Sequence, residues 1–103
     1  MSKVAVIAKI PAAPGKRDQL IEALQAALAN AEGEAGTLMY ILNEDAKDPD
    51  AVWFYELYTD QDALTAHGSS EAFKAMGAAI GQFVGGRPEL TYLTPVGGKG
   101  LPA

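Results

Sequence analysis

Residues 51–58 read AVWFYELY. A run this rich in aromatic and apolar residues, closed by the polar TDQD at 59–62, forms a β-strand, whose side chains alternate between two faces. Val52, Phe54, Glu56 and Tyr58 take one face; Trp53, Tyr55 and Leu57 take the other. Both sets are largely apolar, so both faces of the sheet that holds this strand need cover.

Upstream, Thr37–Asn43 (TLMYILN) is a partner strand, joined through the polar NEDAKDPD, whose proline suits a hairpin loop. Before it, Leu20, Ile21, Leu24, Ala27, Leu28 and Ala31 recur at three- and four-residue steps. This spacing predicts an amphipathic helix from Gly15 or Lys16 to about Ala31, ended by Gly33 and Gly36. Val4–Ile10 (VAVIAKI), bounded by Pro11 and Pro14, is a first strand.

Downstream, Thr59 or Asp60 caps a short helix DQDALTAH, and Ser69 or Ser70 caps a second from about Glu71 to Val84, with Phe73, Met76 or Gly77, Ile80 and Phe83 or Val84 along its apolar stripe. Gly85, Gly86 and Pro88 stop it, Glu89–Val96 is a fourth strand, and residues 97–103 are expected to be a flexible tail after a single domain spanning 1–96. The order β-α-β-β-α-β predicts a ferredoxin-like α+β sandwich, with helices on one face of an antiparallel sheet. Helices cover one face only. The face carrying Trp53, Tyr55 and Leu57 is therefore expected to bury itself against a second copy, in a homodimer.

Composition narrows the function classes. With 103 residues, 49% of them hydrophobic, there is room for one globular domain. The formal charge of −5 argues against a nucleic-acid partner, since phosphate binding needs clustered positive charge. The absence of cysteine excludes disulfides, thiolate metal sites and cysteine nucleophiles. The first apolar run reaches Pro11, too short for a membrane span or a convincing signal peptide, so the protein is expected to be cytoplasmic with no membrane partner.

Few residues are suited to chemistry. His67, the only histidine, stands at the end of DALTAH; an imidazole exchanges protons near neutrality, whereas one at a helix end also satisfies the last carbonyls. One histidine cannot build the multi-ligand site that zinc or non-haem iron needs. Glu56, in parity with Phe54 and Tyr58, is either a buried, perturbed acid or a partly exposed one at a strand end. Asn43 offers a polar contact or starts a turn. The acidic cluster Glu44, Asp45, Asp48 and Asp50 lacks the spacing of a calcium loop, and the Gly-Gly pairs at 85–86 and 97–98 do not follow a phosphate-loop pattern. No nucleotide cofactor is implied.

From Gly36 to Met76 the sequence GTLMYILNEDAKDPDAVWFYELYTDQDALTAHGSSEAFKAM combines a G-x-L-x-Y strand, a DPD loop, an aromatic strand ending F-Y-E-x-Y, an acidic turn before Ala-Leu, a histidine and a Ser-x-x-F-K helix. It closely resembles the central motif of the antibiotic biosynthesis monooxygenase family, which includes quinol monooxygenases; more loosely, the resemblance runs from Val4 through Pro95. It implies a homodimeric α/β barrel of two ferredoxin-like protomers, and insertion of an oxygen atom from dioxygen into an electron-rich phenol, quinol or polyketide-like aromatic without cofactor or metal. Under this resemblance His67 takes or shuttles the phenolic proton, helped by Glu56; Tyr58 and Asn43 orient oxygen atoms; and Phe54, Phe73 and Met76 pack the ring. Haem-degrading relatives carry an asparagine on the first strand and a histidine after the F-K pair. VAVIAKI and Phe73-Lys74-Ala75-Met76-Gly77 have neither. Other relatives isomerise small polar molecules, and a dimeric ligand-binding or stress protein of this fold is a further alternative.

Overall fold

The computed structural model describes residues 2–103. The chain runs β1 (Val4–Pro11), α1 (Arg17–Glu32), β2 (Thr37–Glu44), β3 (Ala51–Tyr58), α2 (Gln61–Ser69), α3 (Glu71–Ile80) and β4 (Glu89–Leu93). The four strands form one antiparallel sheet in the order β2-β3-β1-β4. The fold is the ferredoxin-like α+β sandwich that the order of elements predicts.

Local chemistry sets the helix boundaries. Gly15 adopts a φ of +74°, a left-handed turn open to glycine, and delivers the chain into α1. Asp60 Oδ1 accepts from the Ala63 amide at 2.8 Å and starts α2. Ser70 serves two helices: its hydroxyl donates to the His67 carbonyl at 2.8 Å and accepts from the Phe73 amide at 3.1 Å, closing α2 and opening α3. The C-terminal end of α2, where His67 sits, is thereby tied to α3.

Two elements are shorter than their patterns predict. α3 ends at Ile80 rather than Val84, because residues 81–85 turn away to join the end of β1. The Phe83 carbonyl accepts from the Ala13 amide at 2.8 Å, Val84 forms a bridge with Ala12, and the Gly85 amide donates to the Pro11 carbonyl at 2.9 Å. A Cβ at Gly85 would stand 2.5 Å from the Ala12 carbonyl oxygen, so only glycine fits this approach. β4 ends at Leu93 rather than Val96; Pro95 has no N–H for the ladder, and Leu93 already faces Ala5 near the start of β1.

The core lies between the sheet and the helices. Ala8, Ile10, Ala12, Leu20, Leu24, Val52, Phe54 and Ile80 form one buried cluster. On β3, Val52, Phe54, Glu56 and Tyr58 are all buried beneath the helices, as the alternation predicts. On the other face, Trp53 is half-buried and Tyr55 is 37% exposed, with Ile41 at 49% beside Tyr55 in register; Leu93, at 41%, lies in the row of Leu57, across Ala5. Leu57 departs from the expected exposed set, since it is fully buried within its own chain. Residues 94–101 run along this face and, Val96 apart, line with Ala5, Met39, Tyr55, Leu57 and Leu93 an open cleft of about 500 Å³. Among the described residues, no helix is long and apolar enough to cross a membrane.

Candidate active site

Chain alternation and one helix cap bring an acid–base cluster together under α2. On the helix-facing side of the sheet Tyr40 of β2 stands directly opposite Glu56 of β3, and Tyr58 follows two residues along. His67, only 8% exposed, projects from the last turn of α2 into this group. Its ring centroid lies 5.1 Å from Tyr40, 5.4 Å from Tyr58 and 5.5 Å from Phe73. Two of these contacts are edge-on, the arrangement that ring quadrupoles favour.

Two carboxylates flank the imidazole. The Tyr58 hydroxyl donates to Glu56 Oε1 at 2.5 Å, a short bond within the core. His67 Nδ1 lies 2.9 Å from Glu34 Oε1, on the turn between α1 and β2. Glu34 is held in turn by the Thr37 hydroxyl at 2.9 Å and the Asn30 amide at 3.2 Å. Gly36 lets this turn approach α2, since a Cβ there would stand 2.6 Å from the Ala63 Cβ.

Burial dominates the electrostatics. It raises the Glu56 carboxyl above its ordinary range, opposed by the Tyr58 hydrogen bond and the charge of His67. Burial also pushes the Tyr40 phenol up, with Glu56 and Glu34 adding to the effect, and the Tyr58 phenol up, with the bond to Glu56 adding most. Both phenols are thus neutral donors at physiological pH. A raised carboxyl holds its proton more tightly folded than unfolded, so its stabilising contribution is complete below the ordinary carboxylate range and is lost as pH rises through the folded value. Glu56→Gln removes this loss while keeping an oxygen for Tyr58. The melting temperature of the variant relative to wild type is expected to rise as pH goes from about 4 towards neutrality, read from paired thermal melts.

Of the residues singled out in the sequence, His67, Glu56, Tyr58, Phe73 and Met76 lie in or beside this cluster. Met76 Sδ accepts from the Tyr40 hydroxyl at 3.8 Å. Phe54 lies a layer behind: it is 2% exposed, and Tyr40 stacks on it at 4.5 Å. Asn43 is not part of the site. It stands opposite Trp53, on the other face of the sheet, where its amide donates to the Ile41 and Trp53 carbonyls at 3.2 Å each. The acidic loop at 44–50 is held internally, with Asp45 Oδ2 accepting from the Trp53 indole at 2.8 Å and the loop amides drawing its carboxyl down to about 2. Among the described residues no three His, Cys, Asp or Glu side chains are placed to hold a metal ion.

Sequence reasoning missed Glu34 and the site role of Tyr40. Tyr40 was legible in principle, because it shares parity with Leu42 and faces Glu56. Glu34 carries no such signal, being one acid in a GEAG turn.

His67 borders two openings. One, of about 210 Å³, is lined by Glu34, Gly36, Thr37, Ala63 and Ala66. The other is a void of about 10 Å³ against Tyr40, Phe73 and Met76. Ala27, Asn30, Ala72 and Met76 continue from that void into a groove of about 360 Å³ between α1 and α3. A void this small holds about one water, so a ring could reach the imidazole from that side only if Met76 and the 38%-exposed Phe73 shift.

Comparison with known proteins gives a consistent family. The sequence profile described as antibiotic biosynthesis monooxygenase matches residues 3–79. A Caulobacter crescentus CB15 structure, described as a candidate antibiotic biosynthesis monooxygenase, is 32% identical, with 93% of this chain and 92% of that one covered and a TM-score of 0.86. Rv0793 from Mycobacterium tuberculosis is 30% identical over 95% and 99% of the two chains, with a TM-score of 0.85. PA3566 from Pseudomonas aeruginosa is 28% identical over 94% and 97%, also at 0.85. No curated protein matches the sequence.

Proposed function

The chain belongs to the antibiotic biosynthesis monooxygenase family, and from that premise we propose that it is a cofactor-independent monooxygenase of an electron-rich phenolic, quinol or polyketide-like aromatic ring. The observation that carries this reading is the buried His67, with Nδ1 bound to a carboxylate while Nε2 has no hydrogen-bond partner among the described residues. Deprotonating a quinol makes it an electron donor to dioxygen, and the protein's tasks are to bind the ring, take the proton and exclude water. For a hydroquinone, one oxygen atom enters a ring C–H to give the hydroxyquinone. The other leaves as water, and the substrate supplies all four electrons. His67 takes the phenolic proton, helped by Glu56, Tyr58 orients an oxygen of the substrate, and Phe73 and Met76 pack the ring.

The test is oxygen consumption with a panel of hydroquinones and anthrones, with and without chelator. Turnover that survives chelation is expected, with stoichiometric hydroxyquinone from a hydroquinone or anthraquinone from an anthrone. No oxygen uptake with any member, or uptake abolished by chelator, would overturn the reading. A second reading has one observation in its favour. The 210 Å³ opening between His67, Glu34 and Thr37 has polar groups suited to a small polar substrate, and an isomerase there would exchange substrate protons with solvent without consuming oxygen.

The proposal includes a cytoplasmic homodimer joined through the face that bears Trp53, Tyr55, Ile41 and Leu93. Apolar side chains left exposed on a sheet face that the C-terminal segment covers only in part favour a self-complementary contact. Light scattering is expected to give about twice the chain mass at micromolar concentration, and Tyr55→Glu to halve it. A wild-type mass near 10.8 kDa with no concentration dependence would exclude the dimer.

A further inference from the structure

We infer that, on the reading of His67 as the proton acceptor, Glu34 is its positioning residue: it fixes Nδ1 as the hydrogen-bearing nitrogen and leaves the Nε2 lone pair as the base. An ionised carboxylate only accepts hydrogen bonds, so a neutral imidazole 2.9 Å away must place its hydrogen on Nδ1. The carboxylate is anchored from both ends of its turn. Asn30, in the last turns of α1, donates to Oε2, and Thr37, the first residue of β2, donates to Oε1. Backbone bonds from Glu34 N to Ala31 O at 3.0 Å and from Thr37 N to Glu34 O at 3.1 Å hold the turn itself. The backbone that carries the ring is anchored separately, through the Ser70 bond to the His67 carbonyl. Two independently fixed partners therefore meet at this contact.

The other groups around the ring do not compete for Nδ1. Tyr40 from β2 and Tyr58 from β3 present phenols, and Tyr58 spends its proton on Glu56. From α3 the ring meets Phe73, while Lys74 lies outward at 67% exposure against Glu71. Glu34 and Glu56 are thus the acids of this cluster. When Nε2 takes a proton, the imidazolium forms beside a carboxylate already hydrogen-bonded to it, so charge develops in a site arranged beforehand. Glu34 need not accept the proton. It holds the tautomer and balances the charge.

The chain's single histidine makes the test direct, because nitrogen-15 NMR reads one imidazole without substrate. At a pH high enough for the ring to be neutral, wild type is expected to show the Nδ1–H tautomer. Glu34→Ala is expected to lose it in favour of Nε2–H. Glu34→Gln keeps the shape but not the charge, and its amide can turn an N–H towards Nδ1, so it should move the tautomer towards Nε2–H and lower kcat by about 10²-fold or more, with KM little changed. An Nε2–H tautomer in wild type, or an unchanged tautomer in Glu34→Ala, would overturn the inference. Should Glu34→Ala fail to fold, Thr37→Val tests the same anchor and is expected to shift the tautomer ratio in the same direction; an unchanged ratio would count against the role. The tautomer is read without turnover. A positive NMR result with no oxygen uptake would therefore sink the monooxygenase reading alone.

Discussion

Replacing His67 with alanine is expected to lower turnover of a phenolic substrate by about 10²–10⁴-fold, the usual worth of a positioned acid or base. His67 is only 8% exposed, is bound to Glu34 and is ringed by Tyr40, Tyr58 and Phe73. Burial of this kind with a carboxylate partner exceeds what a helix cap needs, since a cap uses the ring only to meet carbonyls at the helix end. Here the His67 carbonyl is already met by Ser70. The variant should stay folded, because Asn30 and Thr37 continue to hold Glu34 when the imidazole is gone. Steady-state kinetics beside a urea melt decide the matter. An unchanged rate, with only a fraction of a kcal/mol to about 2 kcal/mol of lost stability, would reduce His67 to a helix-end cation and favour the ligand-binding alternative.

The fold was legible because its signals are local and periodic. The alternation in AVWFYELY assigns Phe54, Glu56 and Tyr58 to one face, and the ladder places them there. Where elements stop depended on contacts that no local pattern carries. Phe83 and Val84 satisfy a helical stripe, yet they leave the helix because Ala12 and Ala13 at the end of β1 offer backbone partners. The site divides along the same line. His67, Glu56 and Tyr58 lie within twelve residues of one another and are brought together by one strand and the helix after it. Glu34 comes from 33 residues away, through a turn whose only local mark is glycine. Asn43 shows the opposite failure. Its polarity suggested a site contact, but its parity puts it with Trp53 on the far side of the sheet.

Phe54→Ala is expected to destabilise the fold by about 3–5 kcal/mol, the usual cost of removing a buried ring. Phe54 is 2% exposed, belongs to the cluster with Leu20, Leu24, Val52 and Ile80, and carries the Tyr40 ring stacked at 4.5 Å. A cavity at this position cannot be filled by sliding the sheet, because β3 is paired on both sides. Domains of this kind are stable by about 5–15 kcal/mol, so the loss is a large part of the total. Urea midpoints at one fixed protein concentration measure it, because the midpoint of any self-associating chain depends on concentration. Phe54→Leu separates core packing from contact with substrate. If the residue serves the core, Leu should restore most of the stability and leave KM near the wild-type value. If it packs the substrate ring directly, Leu should raise KM at nearly full stability. The geometry favours the first outcome, since Tyr40 stands between Phe54 and His67, and the effect of Phe54 on catalysis then passes through the position of that one phenol.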